Sequence, residues 1–167
     1  MTEQTRVIPQ EGDPAPNFDL PATGGGRVSL AGLSGKPFVL YFYPKADTTG
    51  CTKEAQDFEA ALAALGKTAP TVIGLSRDPV AAIEKFAKKA GLTFPLATDL
   101  EGEVVATYGS WVEKSMYGRT YMGIDRSTFL VGADGRIARV WRKVKVPGHA
   151  AEVLKAAAAL SGRPPGS

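Results

Sequence analysis

The chain has 167 residues, of which 44% are hydrophobic and 22% charged, with a formal net charge of +3 and one cysteine. That composition fits a single folded domain over residues 1–167 and excludes a disordered chain; one cysteine excludes an internal disulfide framework and a clustered-thiolate metal site. The longest strongly apolar run, FVLYFY, is too short to span a bilayer, and the N-terminus has no apolar signal core, so the expectation is a cytoplasmic protein without membrane contact.

The two ends, 1–12 and 161–167, read as flexible. NFDLPATGGGRVSL (17–30) predicts two short strands around a glycine-rich turn, and its GGG lacks the context and spacing of a phosphate cradle. FVLYFYP (38–44) is a continuous apolar and aromatic run closed by proline, as expected of a central strand buried on both faces. Ala55, Phe58, Leu62 and Leu65 then recur at helical spacing with charged residues largely between them, which predicts an amphipathic helix starting near Gly50.

TVIGLS (71–76) reads as a second buried strand, followed by a helix over about 78–90 with Pro79 near its start and Gly91 just past its end. FPLATD (94–99) predicts a short strand, STFLVGADGRIARVW (127–141) a hairpin around Ala-Asp-Gly, and HAAEVLKAAAAL (149–160) a last helix. The basic stretch RIARVWRKVKV (136–146) alternates charge with Val, Ile and Trp. It reads as a solvated edge strand rather than a nucleic-acid surface. A β-α-β-α unit followed by a hairpin and a helix implies an α/β fold, a central mixed β-sheet flanked by helices in a thioredoxin-like layout.

Cys51 falls where the central strand hands over to the first long helix, with Thr48 or Thr49 as N-cap candidate. The first N–H groups of a helix lack intrahelical partners, and the macrodipole adds partial positive charge, so an anion is favoured there. For a cysteine that anion is the thiolate, the nucleophilic form. The same residue lies four before Ala55 on the helical stripe that carries Phe58 and Leu62, which is where a small core side chain would sit. From the residues alone, core filler and reactive thiol both stand. His149, the only histidine, opens the last helix in a segment that looks structural, away from the thiol that a Cys–His hydrolase would need beside it.

PKADTTGC carries a proline, three residues, a threonine, two residues and a cysteine, and so resembles the peroxiredoxin signature; FYPKADTTGCTKE is similar to the PrxQ, or bacterioferritin comigratory protein, subfamily. SMYGRTYMGIDRSTFLVGADGRI (115–137), VWRKVKVPGHAAEVL (140–154) and APNFDLP extend the resemblance over nearly the whole chain. It implies a thiol-dependent peroxidase that reduces hydrogen peroxide and organic hydroperoxides through a Cys51 sulfenic acid, with no cofactor and no metal. Arg126 would hold the thiolate and a peroxide oxygen, Thr48 would offer its hydroxyl to the peroxide, and Pro44 would shield the sulfur. Glu54, taken to lie in the first helical turn, and Gly50 would support them, with Glu54 helping the helix start or pairing with Arg126. Trp111, Met116, Tyr117 and Tyr121 would line a peroxide entrance or simply pack a long loop.

Many members of that subfamily carry a resolving cysteine five residues after the first, where this chain has Gln56. The resemblance then implies a 1-Cys variant that needs an external thiol, such as thioredoxin, glutaredoxin or glutathione, and whose sulfenic acid is open to overoxidation. A monomer is expected. The other reading is a redox sensor or thiol relay that uses Cys51 oxidation to modify a partner; a disulfide reductase would need a C-x-x-C pair that the chain lacks.

Overall fold

The structure is a computed structural model and describes residues 8–161. It opens with a small antiparallel pair, β1 (Asp19–Pro21) and β2 (Arg27–Ser29), joined by a turn in which Gly24 and Gly25 have φ of 80° and 76°. The order then runs β3 (Phe38–Phe42), α1 (Thr49–Leu65), β4 (Thr71–Ser76), α2 (Val80–Ala90), β5 (Leu96–Thr98) and α3 (Glu103–Thr107). It continues with β6 (Trp111–Met116), β7 (Arg119–Ile124), β8 (Ser127–Val131), β9 (Ile137–Trp141) and α4 (His149–Ser161).

Five strands form one mixed sheet in the order β5-β4-β3-β8-β9, with β3–β4 and β4–β5 parallel and β3–β8 and β8–β9 antiparallel. β3 is in the middle and all five of its residues are buried, because neither face of the sheet meets water there. Its side chains alternate between two cores. Phe38, Leu40 and Phe42 join Phe18, Tyr108 and Phe129 beneath the N-terminal strand pair and α3. Val39 and Tyr41, with Tyr43 just past the strand, join Phe58 of α1, Ile83 and Phe86 of α2, and Val153 and Leu154 of α4. Each such large side chain taken fully out of water contributes roughly 1.5–3 kcal/mol. Gly74 of β4 has no room for a Cβ, which would stand 2.8 Å from Leu96 and 2.9 Å from the Tyr41 ring.

The basic stretch does supply an edge strand: β9 closes one side of the sheet, with Arg139 stacked 4.6 Å over Trp141 and 3.8 Å from Glu152. Two sequence expectations need correction. The segment taken as a long loop is the antiparallel hairpin β6–β7, turned at Tyr117 (φ 54°) and Gly118 (φ 77°). α2 starts at Val80 rather than near 78, since Pro79 is its N-cap and Asp78 is engaged elsewhere. Of the ends expected to be flexible, 1–7 and 162–167 lie outside the described residues. Residues 9 and 12 are tied to the β9 region, with the Arg142 guanidinium donating to Pro9 O at 3.2 Å and the Gly12 N–H to Ile137 O at 2.8 Å, and residue 161 belongs to α4.

Candidate active site

At the carboxyl end of β3 the chain passes through Tyr43 and half-buried Pro44 into a short loop and then α1. Asp47 in that loop takes the left-handed conformation (φ 65°), and its carboxylate meets Lys89 at 3.2 Å. Cys51 lies in the first turn of α1 and is 1% exposed, packed in the same core as Ala55 and Phe58. Its sulfur is therefore both a core atom and a helix N-terminal atom, so the two sequence readings describe one position. The first helical hydrogen bond runs from the Thr52 N–H to Thr48 O at 2.8 Å, and the Gly50 and Cys51 N–H groups precede that ladder.

Arg126 comes from the connection between β7 and β8, and its carbonyl is pinned by the Val144 N–H at 2.9 Å. Its Nη2 donates to Cys51 Sγ at 3.4 Å and its Nη1 to Glu54 Oε1 at 2.6 Å. A hydrogen bond to a carboxylate from a fixed guanidinium fork is charge-assisted and directional, so the pair aims the second nitrogen at the sulfur. Gly50 makes room for this: a Cβ there would lie 3.3 Å from Arg126 Nη2. Glu54 is not in the first turn, as the sequence reading had it, but one turn further on, facing inward and 1% exposed. Of the two roles considered for it, the structure shows the ion pair.

Burial pushes the Glu54 carboxyl up to about 7 although Arg126 pulls it the other way, and Oε2 has no hydrogen-bond partner among the described residues. Burial also works against the charge on Arg126, yet Glu54 and Cys51 together hold its pKa above the ordinary value. Tyr41, stacked on Phe58 at 4.6 Å, shares this environment: burial first, then the negative charge of Glu54, raises its phenol well above the usual range.

Thr48 occupies the N-cap position with extended backbone (φ −94°, ψ 160°), but its side chain does not cap the helix as expected. The hydroxyl donates instead to Lys45 O at 3.0 Å. His149 is buried and bonded through Nε2 to Thr128 Oγ1 at 2.8 Å, with no hydrogen bond to Cys51; burial lowers its pKa to about 4. Gln56 is exposed and reaches Ala90 O at 3.5 Å.

Of the four residues expected at a peroxide entrance, one packs in the other core and three stand exposed. Trp111 packs against the opposite core under the Arg77 guanidinium, 4.6 Å from its ring. Met116, Tyr117 and Tyr121 stand exposed on the β6–β7 hairpin, Tyr117 at 97%. One residue that the sequence reading passed over is Asp78, whose Oδ2 accepts the Ala46 N–H at 2.7 Å from 32 residues away. No local pattern links positions that far apart. Among the described residues no group of three His, Cys, Asp or Glu side chains is placed to hold a metal ion.

In this chain a thioredoxin-like sheet carries a buried cysteine at a helix start, faced by an arginine from a distant strand connection. The AhpC/TSA family matches residues 11–140, and the chain belongs to that family. The putative peroxiredoxin bcp of Coxiella burnetii is 47% identical over 143 residues, 86% of this chain and 95% of that one. Peroxiredoxin Bcp of Escherichia coli K12 is 41% identical over 143 residues, 86% of this chain and 92% of that one. Among solved structures, peroxiredoxin Q of Xanthomonas campestris superposes with a TM-score of 0.81 at 39% identity, covering 92% of this chain and 97% of that one. This chain is thus a peroxiredoxin of the Bcp and PrxQ group, a thiol-dependent peroxidase that acts on peroxides with a thiol reductant. Its single cysteine makes it the 1-Cys kind.

Proposed function

We propose that Cys51 is the peroxidatic thiol and that Arg126, Thr48 and Pro44 complete its peroxide site, with Glu54 and Gly50 setting the position of Arg126. The observation that carries this is the 3.4 Å contact between Arg126 Nη2 and the buried sulfur. In the reaction the thiolate attacks one oxygen of R–O–O–H; an S–O bond forms, the O–O bond breaks, and the leaving alkoxide takes a proton to become alcohol or water. Negative charge moves from sulfur to oxygen, so donors that face both atoms bind the transition state better than the ground state.

Arg126 Nη2 is one such donor and the Cys51 N–H another. The Thr48 hydroxyl has its proton on Lys45 O, which leaves its lone pairs to accept the peroxide O–H. A bound hydroperoxide would then donate to Thr48 and accept from Arg126 and the helix start. Pro44, half-buried beside the loop, brings no competing N–H.

Cys51 sulfenic acid has no second thiol in the chain, so an external one attacks its sulfur: an S–S bond forms and water leaves, and a further thiol releases Cys51. Thioredoxin, glutaredoxin or glutathione is the reductant in this reading, acting on a cytoplasmic monomer. Both hydrogen peroxide and organic hydroperoxides are substrates, a range supported by the bacterioferritin comigratory protein of Xanthomonas campestris. That protein, for which alkyl peroxide reduction activity is described, is 38% identical with a TM-score of 0.81 over 93% of this chain and 98% of that one. The test is intact mass after one equivalent of peroxide, then after glutathione, then after glutaredoxin. A gain of one oxygen, a glutathione adduct and the free thiol are expected in turn, with Cys51→Ser inert. Sustained peroxide consumption through a Cys51–Cys51 disulfide between two chains would overturn the external-thiol step.

A further inference from the structure

Asp78 lies beyond the end of β4, in the turn to α2, and nothing in the chemistry above uses it. Its Oδ2 accepts two hydrogen bonds, from Ser76 Oγ at 2.8 Å and from the Ala46 N–H at 2.7 Å. Its own N–H returns to Ser76 Oγ at 3.2 Å, and the hydroxyl of Thr98 donates to its carbonyl. Ser76 and Thr98 are buried at the ends of two adjacent parallel strands, so Asp78 is held by the sheet. What it holds in turn is the loop in front of Cys51.

Ala46 stands between Lys45, whose carbonyl takes the Thr48 hydroxyl proton, and Asp47, which turns through φ 65°. The positive φ at a non-glycine residue costs conformational energy and persists only where neighbours impose it. The Asp78–Ala46 bond does so from within the fold. The Asp47–Lys89 pair does so from the surface, where an exposed ion pair contributes little. Breaking the Asp78 bond frees Lys45 O to move, and with it the hydroxyl that accepts the hydrogen bond of the peroxide O–H.

We infer that Asp78 is a positioning residue of the peroxide site, which fixes the 45–48 turn through the Ala46 N–H and thereby sets the Thr48 hydroxyl. This rests on the reading that Thr48 contacts the peroxide. Asp78 touches neither the sulfur nor a bound hydroperoxide in this scheme, so its loss should harm reaction with peroxide more than the intrinsic reactivity of the thiol.

The experiment measures two second-order rate constants of Cys51, with hydrogen peroxide and with iodoacetamide, which alkylates the thiolate without needing the groups that hydrogen-bond the peroxide. Their ratio is compared in the wild type and in the Asp78→Ala, Asp78→Asn, Ser76→Ala and Thr48→Val proteins. A misplacement of about 1 Å costs up to about a hundredfold, so the ratio should fall by about ten- to a hundredfold in Asp78→Ala. It should return to within about threefold of wild type in Asp78→Asn, whose amide oxygen can accept both bonds. Ser76→Ala should lower it in the same direction by less, and decides the matter if Asp78→Ala does not fold. A ratio unchanged in the folded variant, whatever its melting temperature, overturns the inference. If Thr48→Val lowers the ratio and Asp78→Ala does not, the inference alone falls; if Thr48→Val leaves it unchanged, the role of Thr48 falls and the inference with it.

Discussion

At the scale of single residues, the site is governed by one guanidinium shared between a sulfur and a buried carboxyl. Glu54 has a pKa raised to about 7, so the folded protein keeps a proton there that the unfolded chain, near 4.5, has already released. The stability this proton confers is complete below about 4.5 and is lost as pH rises through about 7. In Glu54→Gln that slope disappears. The melting temperature of the variant relative to wild type should therefore rise between pH 5 and pH 8, and an offset independent of pH would contradict the assignment. Gly50→Ala separates folding from chemistry: alanine favours a helix by about 1 kcal/mol over glycine, yet its Cβ would crowd Arg126 Nη2 at 3.3 Å. We expect thermal stability at or above wild type with peroxide oxidation slower by about tenfold, read by stopped-flow and thermal melting. Spacing placed Cys51 at a helix start but left it open between core filler and reactive thiol, and the expected roles of Gly50, Arg126 and Thr48 came from the resemblance. The hydroxyl of Thr48 was misread as a helix cap because a cap and a turn bond need the same residue type at the same place. Asp78 was invisible because its partner is a backbone N–H on another strand connection.

At the scale of elements, β3 and β4 could be read from sequence because burial on both faces leaves unbroken apolar runs, FVLYF and TVIGLS. α1 could be read because its inner face repeats at helical spacing. The β6–β7 hairpin could not, since WVEKSM and RTYMGI are mostly exposed or half-buried and neither face carries a continuous apolar pattern. α3 is short, with one buried residue, Val105, and leaves no period to detect. α4 is joined to the sheet by His149, bonded to Thr128 of β8 and edge-on to Phe58 and Trp141. Burial lowers its pKa from 6.5 to about 4, so the unfolded chain takes up a proton that the folded one refuses. Stability from this group is present above about 6.5 and is lost as pH falls through about 4. His149→Gln should flatten the melting temperature across that window, while peroxide oxidation at neutral pH stays close to wild type. A loss of oxidation matching that of Cys51→Ser would instead make His149 part of the chemistry.

At the scale of the whole molecule, the sheet brings together groups that the sequence keeps far apart. Cys51 and Arg126 are 75 residues apart and meet because β3 and β8 are antiparallel neighbours, with Phe42 opposite Ser127. That register puts the start of α1 and the β7–β8 connection at the same end of the sheet. The α/β class was legible as soon as β-α-β-α was followed by a hairpin, whereas the distances inside the site depend on packing that no local pattern encodes. The reactivity proposed for Cys51 requires this junction to make a cysteine fast toward peroxide. The deciding measurement is the second-order rate constant of Cys51 with hydrogen peroxide by stopped-flow, in wild type and in Arg126→Lys. Wild type should exceed free cysteine by orders of magnitude. Arg126→Lys, which keeps the charge but loses the fork shared with Glu54, should fall by about 10²- to 10³-fold. A wild-type rate equal to that of free cysteine, or an Arg126→Lys rate equal to wild type, would contradict the site described here.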